Sequence, residues 1–226
     1  MRTSFKFDLN DSLYLKDPLS SDLGTNLIER SIDLMDDIGY ESFTFRKLAI
    51  EISSTEASIY RYFESKHKLL LYLYDWYWNW MEFKLEFAFA NISSATERLD
   101  IAIRILTESV VVDGSFQHIN EVKLNRIIIS ESSKCYLTRS VDKENLEGVF
   151  LAYKRLVQLV SDIILEINPE YDYPHMLVST TVEGAHLQRY FALHLPRLTD
   201  TVSGRDAVTS FYTELTHRTI LVGNTK

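Results

Sequence analysis

The sequence predicts an all-α protein built as a short three-helix head, a long connecting helix and a larger helical body. Three observations predict it. Apolar residues recur at helical rather than alternating spacing along nearly all of the 226 residues. With Gly 7 and Pro 4, the chain is poor in the turns that a many-stranded fold requires. A hydrophobic share of 46%, with 12% aromatics, is ample for a packed core and argues against a disordered chain.

The elements follow in order. Residues 1–19 are expected to be a flexible arm, because Phe5, Phe7 and Leu9 alternate with polar residues but have no hairpin partner nearby. From about Ser21 a helix puts Leu27, Ile28, Ser31, Ile32, Leu34, Met35 and Ile38 on one face and Glu29, Asp33, Asp36 and Asp37 on the other, and Gly39 ends it. A short helix capped by Thr44 buries Leu48, Ala49 and Ile52. Ser53-Ser54 break it, and another short helix capped by Thr55 turns Ile59 and Phe63 inward. Ser65 caps a long helix reaching about Ala90. Ser94-Ala95-Thr96-Glu97 is a capping box, and its helix is expected to close at Asp113-Gly114. Further helices are expected over 116–131 and from Asp142 to Asn168, with a loop at 132–139 between them. Pro174 opens the next helix and Pro196 ends it; the last begins near Ser203 and stops before Gly223.

Composition removes several classes of function. The net charge of -8, with a pI near 5.3, carries no global signature of nucleic-acid binding. A single cysteine, Cys135, leaves no internal disulfide and no CxxC metal knuckle, in keeping with a reducing cytoplasm. The N-terminus lacks the apolar core of a signal peptide, and the most apolar run, Leu69 to Met81, is interrupted by Asp75 and Asn79. That run is shorter than the about 20 apolar residues of a membrane span, so a cytoplasmic protein with no membrane partner is expected. No cofactor motif is present. Glu183 and His186 share a helical face, but without a second such pair they do not make a metal site. Cys135 lacks the surroundings of a nucleophile, so no enzyme is expected.

The two short helices joined by a tight turn form a helix-turn-helix. Leu48, Ala49, Ile52, Ile59 and Phe63 supply its shared inner face, while Glu56, Ser58 and Arg61 point outward. Arg46 and Lys47 lie in the first turn of one helix, and Lys66 and Lys68 in the first turn of the long one, where free backbone N–H groups also favour a phosphate. Gly39-Tyr40, Phe43-Thr44, Leu48-Ala49, Ile59-Tyr60-Arg61-Tyr62-Phe63, Ser65-Lys66 and Leu69-Leu70 resemble the N-terminal signature of the TetR repressor family over residues 24–70. The resemblance implies a DNA-binding domain at 20–68 whose recognition helix is Thr55 to Arg61, with Tyr60 and Lys66 on phosphates. With the caps included, the expected DNA contacts are Thr44, Arg46, Lys47, Thr55, Glu56, Ser58, Tyr60, Arg61 and Lys66. It further implies an effector-binding and dimerisation domain at 69–226, and hence a ligand-controlled repressor of a double-stranded DNA operator. Two departures stand out: Ser53-Ser54 replace the glycine usual in the family's turn, and the reading helix carries the acidic Glu56. Residues 20–70 hold six bases and nine acids, yet from Ser42 onward five bases face three acids, so the excess acid lies on the first helix. That acidity keeps open a second reading, a ligand-sensing or interaction protein of the same fold that has lost DNA binding.

Two further groups carry alternatives. The rings around the long helix pack either as ordinary core or as an apolar effector pocket; for the pocket the expected set is Trp76, Trp80, Phe83, Phe87, His118, Glu183 and His186, taking a small apolar or amphipathic molecule. The small residues Thr181, Gly184, Ala185 and Ala192 and the stripe Val208, Phe211, Tyr212, Leu215, Thr219 and Val222 serve either intrachain packing or a homodimer seam.

Overall fold

A computed structural model describes residues 7–112, 114, 116 and 118–221. Among them are eleven α-helices and no strand: α1 Asp22–Ser42, α2 Phe45–Glu51, α3 Glu56–Tyr60, α4 Lys66–Phe89, α5 Ala95–Thr107, α6 Glu121–Glu131, α7 Ser133–Tyr136, α8 Val141–Leu146, α9 Leu151–Ile167, α10 Pro174–His194 and α11 Ala207–Leu221. The starts follow the capping chemistry. Thr44 Oγ1 accepts from Lys47 N, Thr55 Oγ1 from Ser58 N and Ser94 Oγ from Glu97 N, each satisfying an orphan donor worth about 1 kcal/mol.

Several boundaries differ from expectation, each for a local reason. The helix expected to close at Asp113-Gly114 stops at Thr107, ahead of the β-branched run Val110 to Val112; Asp113 lies outside the described residues, as do Phe5 and Val222. The helix expected from Asp142 to Asn168 is two, because Gly148 adopts a φ of +81° and ends α8. The segment expected as a loop at 132–139 contains α7, and α6 begins at Glu121, with Asn120 as its cap. The last helix starts at Ala207, where Asp206 Oδ1 accepts from Thr209 N.

The described residues fall into two compact units, which α4 and the strand-free connections thread in turn. The first comprises residues up to 79 together with 110–151; the second comprises 80–109 together with 152 onward. In the first, α1 packs on α2 and α6, and α2 on α3. Its part of α4 is buried all round from Leu69 to Trp78, as a helix apolar on every side must be. Residues 7–20, expected to be flexible, are instead docked in this unit. Leu13 is 1% exposed, Leu15 N donates to Tyr62 O, and Asn10 N donates to Asp75 Oδ2. Phe7 meets Trp76 edge-on, and the turn at Pro18–Ser20 lies so close to α1 that a Cβ on Gly24 would sit 2.2 Å from Pro18 O. Burying Phe7, Leu9, Leu13 and Pro18 is what overcomes the entropy of ordering this segment.

In the second unit α5, α10 and α11 pack on one another. A Cβ on Gly184 would lie 2.0 Å from the Tyr212 hydroxyl, so the small residues of α10 make room for a ring of α11. Arg189 ties Thr107 O, Asp206 and Thr209 together. A water-sized apolar void lies among Leu99, Ile103, Val160, Leu177, Thr181 and Thr216.

Candidate nucleic-acid interface

The head presents α3 on a braced platform. Leu48 of α2, Ile59 of α3, Phe43 and Phe63 are fully buried, and Phe63 meets the Tyr72 ring of α4 edge-on. The turn between the helices is closed by Ser54 N donating to Ala49 O, and it requires a φ of +50° at Ser53. That positive φ is the reason a glycine would suit the position; serine adopts it at a small steric cost. Opposite the buried face, Thr55, Glu56, Ala57, Tyr60 and Arg61 are exposed to solvent. Tyr60 is 49% exposed, and its ring is held edge-on against Phe45 at 5.0 Å. Thr44 and Thr55 spend their hydroxyls as caps, and Ser58 Oγ lies 2.9 Å from Thr55 Oγ1, so these three shape the helices as much as they present polar groups.

The charges of the head divide sharply. Arg46 and Arg61 are exposed and make no ion pair or hydrogen bond to the chain among the described residues. Lys47 donates to Ser42 O. Lys66, expected at a phosphate, points its ammonium at the chain itself. It donates to the carbonyls of Tyr40, Glu41 and Phe43, at the end of α1, and lies 4.4 Å from the centre of the Tyr40 ring. Three of the six acids of α1 are occupied as well. Asp33 accepts from Lys123 at 2.7 Å and pairs with Arg30. Arg126 grips both oxygens of Asp36, and Lys134 bridges Glu41 and Glu131. Asp33, Asp36 and Glu41 therefore form a seam against the basic side of α6 and α7. Spacing carried a signal for it: Asp33 and Asp36 repeat the three-residue interval of Lys123 and Arg126.

The other expected sites are placed as follows. Of the effector set, Trp76 and His118 belong to the first unit, and Trp80, Phe83, Phe87, Glu183 and His186 to the second. Trp76 and Trp80 are buried, whereas Phe87 is 76% exposed. His118 lines a shallow cleft with Glu29, Asp33 and Phe116. Glu183 accepts from the Tyr153 hydroxyl, and burial pushes His186 down to about 4, which keeps it neutral. Of the seam residues, Thr181, Ala185, Val208 and Tyr212 are buried within the chain, Gly184, Ala192, Leu215 and Thr219 are half-buried, and Phe211 is exposed. Cys135 is buried, and that burial pushes its thiol far up, the reverse of what a nucleophile needs. Among the described residues no cluster of His, Cys, Asp and Glu has the geometry of a metal site, and no helix is long and apolar enough to cross a membrane.

Residues 27–73 match the family model of the bacterial regulatory proteins of the tetR family. No curated protein sequence matches the chain. Among solved structures, AibR in complex with isovaleryl coenzyme A and operator DNA is similar at a TM-score of 0.55 and 15% identity, over 85% of this chain and 95% of that one. The superantigen PfiT is similar at a TM-score of 0.56 and 19% identity, over 92% and 97%. The ketosteroid transcriptional regulator KstR2 of Mycobacterium tuberculosis is similar at a TM-score of 0.51 and 14% identity, over 91% and 96%. At such identities the structures establish a shared fold, and the head is identified by the family model. Residues 27–73 thus carry the head domain of the tetR family, and the chain shares the fold of these solved structures.

Proposed function

We propose that this protein is a homodimeric, sequence-specific DNA-binding repressor whose operator affinity is set by a small apolar or amphipathic effector. The observation that carries the reading is the open outer side of residues 55–61, braced from behind by Leu48, Ile59 and Phe63, with Arg46 and Arg61 exposed and without an ion pair among the described residues. A major groove admits one such helix, and arginines at its margins would neutralise phosphates. One short helix contacts few base pairs, so two heads on successive half-sites are needed for useful specificity. The dimer seam is proposed on the apolar residues that α10 and α11 leave exposed, Leu187, Leu193 and Phe211, rather than on Thr181, Ala185, Val208 and Tyr212, which the chain already buries. AibR, with its acyl coenzyme A and operator, offers a precedent for the two partner classes proposed here. Such a protein works in the cytoplasm, on the chromosome.

The test is an electrophoretic shift with the full chain at low salt against fragments of the source genome. A shifted fragment that tightens or loosens on adding an effector supports the reading, and the effector must in turn bind with altered affinity when operator is present. No shift at any salt removes the DNA-binding function and leaves a ligand-sensing or interaction protein of the same fold.

A further inference from the structure

We propose that Glu56 is a base-reading residue, whose carboxylate accepts from the exocyclic amino group of one cytosine in each operator half-site. The inference rests on the DNA-binding reading above. Glu56 is exposed at the start of α3 on the same outer face as Ala57, Tyr60 and Arg61, and it makes no ion pair or hydrogen bond among the described residues. In this it differs from Asp33, Asp36 and Glu41, each of which is matched to a lysine or arginine. An unpaired carboxylate on the surface that meets a polyanion is repelled by every phosphate near it. It is compensated only where the groove offers a donor.

The donor can be identified by elimination. An ionised carboxylate only accepts. The base edges in the major groove supply two amino donors, N4 of cytosine and N6 of adenine. Beside N6 of adenine stands the acceptor N7, which opposes the second carboxylate oxygen; the cytosine edge has no such acceptor on its own base. Ala57, the next residue on the exposed face, carries only a methyl group and leaves the base edge accessible to Glu56. Glu56 thereby acts by rejection as much as by attraction, since at every other base pair it stays desolvated and unmatched.

The experiment is selection from randomised duplex DNA with the full-length wild-type protein, Glu56→Gln and Glu56→Ala, each checked for an unchanged melting temperature. Wild type is expected to enrich sites with a cytosine at one fixed position of each half-site. Glu56→Gln should move that position towards adenine, because an amide offers the donor and acceptor that match N6 and N7. Glu56→Ala should flatten it, losing roughly 10- to 100-fold of discrimination there, and should bind random DNA more tightly. If all three proteins enrich the same site, Glu56 reads no base and the inference falls while the DNA-binding function stands. If wild type enriches nothing at any salt, the DNA-binding function fails and the inference fails with it.

Discussion

The α1–α6 seam and the α2–α3 face lie in one compact unit, yet they treat charge in opposite ways. Along the seam, Asp33, Asp36 and Glu41 meet Lys123, Arg126 and Lys134 in ion pairs. On the reading face, Arg46, Arg61 and Glu56 have no ion pair or hydrogen bond among the described residues. The difference teaches that the net charge of a domain measures composition and not availability. Six of the nine acids of residues 20–70 belong to α1, and α6 and α7 pair with three of these, Asp33, Asp36 and Glu41, so the acidity weighs less against the positive margin of α3 than its count suggests.

The largest expected effect follows from removing the unpaired cations. Arg46→Ala combined with Arg61→Ala should weaken operator binding roughly 100-fold or more, and the dependence of log K on log salt should flatten by about one for each arginine that sits on a phosphate. The melting temperature of the free protein should not move, since neither side chain has an ion pair or hydrogen bond among the described residues. Asp36→Asn makes the opposite comparison: it removes an acid yet should change operator affinity by less than about two-fold, because that charge is already matched. Titration of labelled operator over a salt series measures both. A gain in affinity from Asp36→Asn as large as the loss from the arginine pair would show that total charge governs binding after all.

Lys66 sharpens the comparison because it stands at the border of the two regions. By resemblance it belongs to the phosphate-binding set; in the structure its ammonium closes the C-terminal end of α1, on three carbonyls and the Tyr40 ring. Lys66→Met should therefore cost roughly 2 kcal/mol of stability, the loss of a charged hydrogen-bonded group beside carbonyls left half-satisfied. The midpoint of urea unfolding in the absence of DNA measures it. A lysine reserved for phosphate would leave that midpoint where it was, so the free protein alone decides between the two roles.

What was legible in the sequence was local. The caps at Thr44, Thr55 and Ser94 act three residues ahead, and the inward positions of Leu48, Ile59 and Phe63 follow from helical period, so the head could be read without knowing its surroundings. What stayed hidden was long-range. Docking of residues 7–20 depends on Tyr62, Asp75 and Glu147, far along the chain, and no periodicity announces such partners. The same holds for the distance between Lys66 and the end of α1. The break at Gly148 was local but masked, because the flanking segments share a helical apolar pattern and only a positive φ divides them.

The smallest effects are expected within the seam itself, and they test whether its pairs are bonds or coincidences. A double-mutant cycle of Asp36→Ala and Arg126→Ala should give a coupling of about 0.5–1 kcal/mol, because the two parallel hydrogen bonds fix the geometry while Arg126 remains half in water. The coupling should shrink at high salt, as expected of a pair this exposed. Lys123 adds a pH signature: its hydrogen bond to Asp33 holds it above the ordinary lysine value. A raised pKa in the folded protein means that this contribution is complete below about 10.4, the ordinary lysine value, and is lost as the pH climbs through the folded one. Stability measured from neutral to alkaline pH should accordingly fall more for wild type than for Lys123→Met in that window. A coupling near zero together with identical alkaline profiles would mean that the acids of α1 are merely solvated, and the reading face would then have to bind DNA beneath an unscreened negative helix.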